Sequence, residues 1–189
     1  MAAPPAPPLI LASTSPRRRE ILEQLRIPFE VVEPRYEETQ GDPVEHAVGK
    51  ARSVGPFDER PVLGCDTEVI CDGRVYGKPE NEGDAEAMLE SLAGKTHEVV
   101  SGLALITAAW DEVHRDVTRV TFRALDARDL AHYLASGEWE GRAGAYAIQG
   151  LGASLVERIE GDYLNVVGLP GALLVRLLAS RFPGTYGFG

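Results

Sequence analysis

Apolar residues run along the chain in two rhythms, one of helices and one of strands. "PLILA" (8–12) is an unbroken apolar run and predicts a buried strand, and "FEVVEP" (29–34) predicts a second. Between them Ser15 and Pro16 signal a helix over 16–25, with Ser15 capping it and Pro16 at its first position. "PVEHAVGKARSVG" (43–55) spaces Val44, Ala47, Val48 and Ala51 as one helical face. "PVLGCDTEVIC" (61–71) reads as a strong buried strand, followed by the hairpin signal Asp72-Gly73 and a continuation through "RVYGKP". "GDAEAMLESLAG" (83–94) predicts a helix with Met88, Leu89 and Leu92 inward and Gly94 as its stop. Residues 96–108 and 112–125 predict a strand pair turning around "AWDE", the second strand setting Val113, Val117, Val120 and Phe122 among polar neighbours. A helix over 126–136 capped by Asp126, a strand over 153–161 and a helix over 171–182 complete the pattern. Alternating strands mixed with crossover elements predict an α/β fold on a mixed sheet. No repeat or low-complexity linker divides the chain. The reading is a disordered lead-in at 1–8, one domain over 9–182 and a frayed tail at 183–189.

Charge narrows the partners. The formal net charge of −10 sets the molecule as a whole against nucleic acid and anionic membranes, so any phosphate binding requires a local basic pocket in an acidic surface. No apolar run reaches membrane-spanning length and no signal peptide is visible, which makes the cytoplasm the expected compartment. Cys65 and Cys71, six apart in "CDTEVIC", fall on one side of a strand and fit neither a disulfide framework nor a zinc pattern. They read as two small buried residues. Of 19 basic residues only Lys50, Lys78 and Lys95 are lysines, which singles out three places where a compact point charge could matter.

Two familiar phosphate motifs fail on spacing. "LAGKT" (92–96) has Leu89 where a P-loop needs its first glycine, and "GLGASL" (150–155) lacks the third glycine of a dinucleotide fingerprint. His46, His97, His114 and His132 are scattered, and each reads as a surface or structural residue. Four other pieces carry chemistry. Ser13, Ser15, Arg17 and Arg18 stand at a strand-to-helix junction, where free N–H groups, hydroxyls and guanidinium forks make either an anion site or a solvated basic turn. Three arginines in a helix's first turn oppose the helix dipole, which an anion there would relieve; Arg19 reads as surface. Asp66 sits in or at the end of a core strand, where a carboxylate must be paired, protonated or metal-bound. Thr67 faces the other side. Lys78 follows the hairpin turn and is either an exposed loop lysine or one returned toward Asp66. In "AGAYAIQGLG" (143–152), small residues surround Tyr146 and Gln149, and the Gln149 amide can either read a base edge or point to solvent.

The blocks "LASTSPRRREIL", "GCDTEVICDGRVYGKP", "LAGKTHEVVSGLAL" and "GRAGAYAIQGLGASLVERIEGDYLNVVGLP" resemble, in order and over about residues 9–180, the Maf family of nucleoside triphosphate pyrophosphatases first linked to septum formation. The resemblance implies a fold similar to inosine triphosphate pyrophosphatase: an elongated mixed sheet, flanking helices in two lobes and a central cleft. It implies cleavage of a nucleoside triphosphate between the α and β phosphates, with a divalent metal, Mg²⁺ or Mn²⁺. It assigns Asp66 as proton acceptor, Glu37 with Asp66 to the metal (Glu38 being the alternative), and Ser13, Arg17, Arg18, Lys50 and Lys78 to the phosphates. Lys78 also serves catalysis. Arg17, Thr67 and Gln149 match the specificity markers of the dTTP/UTP branch. Physically, an amide pairs with a pyrimidine's adjacent carbonyl and N–H. Activity on 7-methyl-GTP or another purine triphosphate is the rival, although Tyr146 is the only aromatic residue near Gln149. A nucleotide-binding regulator of cell division is the rival of another class, against which the intact Asp66, Lys78 and Glu37 argue. The implied partners are the nucleotide and a second copy of the chain in a homodimer. Ala93 and Leu164 depart from the family pattern away from catalytic positions.

Overall fold

The computed structural model describes residues 7–38, 41–55 and 60–189. Of the expected lead-in at 1–8, residues 1–6 lie outside the described residues. The fold is α/β, with a seven-stranded mixed sheet of β1 (Leu9–Ala12), β2 (Phe29–Val32), β3 (Val62–Cys71), β4 (Arg74–Tyr76), β5 (Thr96–Ile106), β6 (Asp111–Phe122) and β7 (Val156–Glu160), in the order β2-β1-β3-β5-β6-β7 with β4 paired to β3. The chain divides into two compact units, one of residues 1–66, 101–116 and 168–189, the other of 67–100 and 117–167.

In the first unit, β1 (Leu9–Ala12) is buried along its length and lies parallel to both β2 (Phe29–Val32) and β3 (Val62–Cys71), pairing Ile10 with Val62 and Leu11 with Leu63. A strand covered on both faces must be apolar throughout, which is why "LILA" does not alternate. Helix α1 (Pro16–Gln24) starts with Pro16 in its first turn as expected, but Ser15 makes no side-chain cap. Its N–H instead donates to Ser13 Oγ at 3.2 Å. Helix α2 (Pro43–Ser53) is capped by the Asp42 carboxylate, which accepts from the Val44 N–H at 2.7 Å. Its inward face includes Ala47 and Ala51 as expected and is wider than the apolar spacing marked. Pro43, His46, Ala47, Lys50 and Ala51 are buried, whereas Val44 and Val48 are only partly so. His46 and Lys50 therefore extend the buried face to the side of Ala47 and Ala51 away from the valines, of which Val48 still packs against the core. Ala47 and Ala51 pack with Ile10, Ala12, Val62, Ala104 and Ile106 in one core cluster. Helix α6 (Gly171–Arg181) buries Leu173, Leu174, Leu177 and Leu178. Among the last residues the Gly184 N–H donates to the Phe188 carbonyl, and Tyr186 is buried edge-on against Phe182.

In the second unit, β3 runs into a hairpin with β4 (Arg74–Tyr76), pairing Val69 with Tyr76 and Cys71 with Arg74. Asp72 and Gly73 both have positive φ, the backbone of the type I′ turn their sequence announces. Helix α3 (Glu82–Leu92) begins at the Asn81 cap and buries Met88, Leu89 and Leu92 as expected. Cys71 of this unit, like Cys65 of the first, is buried and forms no disulfide.

Strands β5 (Thr96–Ile106) and β6 (Asp111–Phe122) follow one another around a turn closed by the Thr107 N–H on the Trp110 carbonyl. The even positions of β6 lie inward, so Val120 and Phe122 are buried while Val113 and Val117 are exposed. An odd separation between Val117 and Val120 cannot keep all four on one face. Helix α4 (Ala127–Leu134) carries a full capping box between Asp126 and Asp129. The strand expected from residue 153 begins only at Val156, as β7 (Val156–Glu160). Residues 150–155 form a 3-10 turn. The short helix α5 (Tyr163–Val167), which no periodicity marked, starts where the Asp162 carboxylate accepts from the Leu164 N–H.

Candidate active site

The β1–α1 turn holds the first cluster. Arg18 lies on the buried side of α1 and donates from Nε to the Gly168 carbonyl at 2.9 Å and from Nη1 to Ser13 Oγ at 3.1 Å. Arg18 and Ser13 thus brace each other, and the guanidinium keeps N–H groups beyond these two bonds. Arg17 is half-buried, its Nε 4.0 Å from where a Cβ on Gly168 would sit. Arg19 is exposed, as its sequence position suggested.

The second cluster depends on two glycines. A Cβ on Gly64 of β3 would meet the Ala47 carbonyl at 2.0 Å, and one on Gly102 of β5 would meet the Pro43 carbonyl at 2.2 Å. Both contacts are to backbone, so no rotamer change could relieve them. Their absence lets α2 lie directly against the strands. That approach delivers two α2 side chains, one helical turn apart, to the carboxylate two residues beyond Gly64. Lys50 Nζ donates to Asp66 Oδ1 at 2.6 Å, and His46 Nδ1 lies 3.3 Å from Oδ2. His46 is 5% exposed and Lys50 6%. Lys50 also pairs with Glu38 at 2.5 Å. Gly49 helps to seat the segment preceding α2, because any side chain there would fall within the Tyr36 ring. Glu37, the acidic residue expected beside Asp66, is exposed on this segment; its neighbour Glu38 is the one that reaches Lys50.

His46 was missed. Read from sequence it is one of four scattered histidines. In the structure it completes the surroundings of Asp66, and its Nε2 is buried with no partner among the described residues. The available signal was its spacing of four from Lys50, which only matters once a partner carboxylate is known.

In the second unit, Thr67 follows along β3, and Lys78 lies exposed two residues past Tyr76 on the return arm of the hairpin. The Gly77 carbonyl accepts from the Gly144 N–H at 3.0 Å, which joins this arm to the small-residue segment. Gly144 has φ of 68° and packs where a Cβ would press Val69. Gln149 is exposed, and Tyr146 is not. The Tyr146 ring stands edge-on to His97 and Phe122, with its Oη 2.8 Å from His97 Nε2. Burial raises the Tyr146 phenol and pushes the His97 imidazole down to about 4. Tyr133, which accepts from the Ala147 N–H, is pushed up to about 12 by burial. Tyr146 is therefore a structural residue under the segment, not a surface on which a base could stack.

These clusters define a class: an α/β protein with a glycine-mounted lysine–carboxylate pair and a basic strand-to-helix turn. The family model described as Maf-like protein matches residues 8–181, and the chain belongs to the Maf family. It is 47% identical over 180 residues to a protein of Gloeobacter violaceus named dTTP/UTP pyrophosphatase, covering 90% of this chain and 94% of that one. Proteins with the same name from Deinococcus radiodurans and Bacillus mycoides are 43% and 46% identical, covering 100% and 90% of this chain and 100% and 93% of theirs. Among the described residues no helix is long and apolar enough to cross a membrane.

Proposed function

We propose that this protein hydrolyses dTTP and UTP between the α and β phosphates, releasing the nucleoside monophosphate and pyrophosphate. The observation that carries the reading is the Lys50–Asp66 pair, held at 2.6 Å by close backbone packing in a chain related over its whole length to proteins named for this reaction. Asp66 orients the attacking water and accepts its proton. A carboxylate fixed from both sides loses little freedom when it does so. Lys50 neutralises negative charge beside it, and its ammonium has a third donor for a phosphate oxygen after Asp66 and Glu38. Ser13, Arg17 and Arg18 bind phosphate at the β1–α1 turn, where the dipole of α1 adds to their charge. In the second unit Lys78 holds the phosphate chain and supports the reaction, while Thr67 and Gln149, with Arg17, select the base.

A hard divalent ion, Mg²⁺ or Mn²⁺, would take Asp66 as a ligand, with Glu37 our choice for the second carboxylate. Each Asp66 oxygen has one nitrogen neighbour and keeps a lone-pair direction, and Glu37 stands exposed on the acidic segment. When bound, the ion shields phosphate charge and polarises the scissile anhydride. The test is pyrophosphate release from a panel of nucleoside triphosphates with Mg²⁺ or Mn²⁺. Turnover of dTTP and UTP well above the purines is expected. Preference for 7-methyl-GTP would replace the substrate assignment, and tight binding without pyrophosphate release would replace the enzyme with a nucleotide-responsive regulator.

A further inference from the structure

Gln149 is exposed, yet the backbone on either side of it is tied down. The Ala147 N–H donates to Tyr133 Oη at 3.0 Å. Beyond Gln149, the Leu151 N–H donates to Glu138 Oε1 at 2.9 Å and the Gly152 N–H to Glu138 Oε2 at 3.0 Å. Each Glu138 oxygen thus takes one N–H at the start of the 150–155 turn, a pair of charge-assisted hydrogen bonds. The segment also closes on itself: a Cβ on Gly152 would meet the Ala147 carbonyl at 1.8 Å. Gly150, with φ of 62°, passes so near Glu138 that a Cβ there would lie 2.4 Å from its carboxylate. Tyr133 is buried, so the Ala147 N–H has no water to fall back on. Only Ile148, Gln149 and Gly150 are left between the anchors. All these contacts lie within the second unit.

We infer that Glu138 and Tyr133 are positioning residues for base selection: they fix the main chain on both sides of Gln149, so that its amide meets the base at one place and angle. The inference rests on the reading that Gln149 contacts the base. An amide discriminates by matching a donor and an acceptor at once, which fails when its backbone wanders by more than about 0.5 Å. A loosened loop would bind a correct and an incorrect base more nearly alike. The loss would therefore fall on the favoured base and leave the poor one unchanged.

The experiment measures kcat/KM for dTTP and dGTP in the full-length protein and in Gln149→Ala, Glu138→Ala, Glu138→Gln and Tyr133→Phe. Gln149→Ala is expected to lower the dTTP:dGTP ratio by roughly 10-fold or more, as for loss of a hydrogen-bond reader. Glu138→Ala and Tyr133→Phe are expected to lower it by roughly 3- to 10-fold through dTTP alone, with dGTP unchanged. Glu138→Gln keeps one acceptor and the side-chain volume, and is expected to fall between wild type and Glu138→Ala. It carries the test if Glu138→Ala does not fold. An unchanged ratio in Gln149→Ala would refute the base-contact reading and this inference with it. A collapsed ratio in Gln149→Ala alongside unchanged ratios in the Glu138 and Tyr133 variants would overturn the inference alone. Equal losses on both nucleotides would overturn it too, because they would mark the clamp as general scaffolding.

Discussion

His97 makes stability fall toward acid pH by an amount that can be worked out. Its ring is 1% exposed, wedged edge-on between Phe122 and Tyr146. Nε2 meets the Tyr146 hydroxyl, but Nδ1 is buried with no partner among the described residues. Protonation would leave a charged N–H there with no acceptor, and burial accordingly pushes the imidazole from 6.5 down to about 4. A depressed pKa means that the unfolded chain binds the proton first. The contribution is complete above pH 6.5 and is lost as pH falls toward 4. One proton taken up on unfolding corresponds to about 1.4 kcal/mol per pH unit, so going from pH 7 to pH 5 removes about 2 kcal/mol. That is a large share of an ordinary stability of about 5–15 kcal/mol. His97→Gln keeps an amide in reach of Tyr146 but cannot titrate. Urea unfolding of both proteins at pH 7 and pH 5 isolates the effect, because all other titrating groups are shared. Wild type should lose about 2 kcal/mol more than His97→Gln over this interval. Equal losses would refute the reasoning, and so would an NMR titration placing His97 near 6.5 in the folded protein.

Asp66→Asn should lower turnover by at least about 100-fold with little change in fold, read as initial rates of pyrophosphate release. Gly64→Ala forces α2 off β3 and should cost about 3 kcal/mol or more in denaturant unfolding, with the rate falling as Lys50 moves from Asp66. His46→Leu removes the contact to Asp66 Oδ2 and should lower kcat more than it raises KM, while His46→Asn, which keeps a nitrogen near the Nδ1 position, should recover much of it. Arg19→Ala should leave steady-state rates nearly unchanged, whereas Arg17→Ala should raise KM for the triphosphate.

Most elements could be read from local pattern because their causes are local. Asp72-Gly73 dictates its own turn, Asp126 caps its own helix, and Met88, Leu89 and Leu92 mark their own face. The misses share another cause. On α2, apolar spacing marked Val44, Ala47, Val48 and Ala51, of which the two alanines are core, but it could not show that Lys50 and His46 also turn inward because Asp66 answers them from β3. The delayed start of β7 arises from the bare approach of Gly152 to Ala147, which has no periodicity. Asp66, Lys50, Lys78 and Gln149 could be singled out one by one as costly or unusual residue choices. His46 and Glu138 could not, since each is an ordinary residue made consequential by its partner: a carboxylate for one and two main-chain N–H groups for the other.

The two bare contacts under α2 have a consequence for how this protein can change. Because Gly64 and Gly102 bring main chain against main chain, the spacing of Lys50 from Asp66 is inherited from the backbone and not from the fit of neighbouring side chains. The apolar residues of the surrounding cluster can therefore be exchanged for others of similar volume without retuning the reactive pair. Drift in the core and constancy at the centre become independent, and the two glycines are the point at which that independence ends.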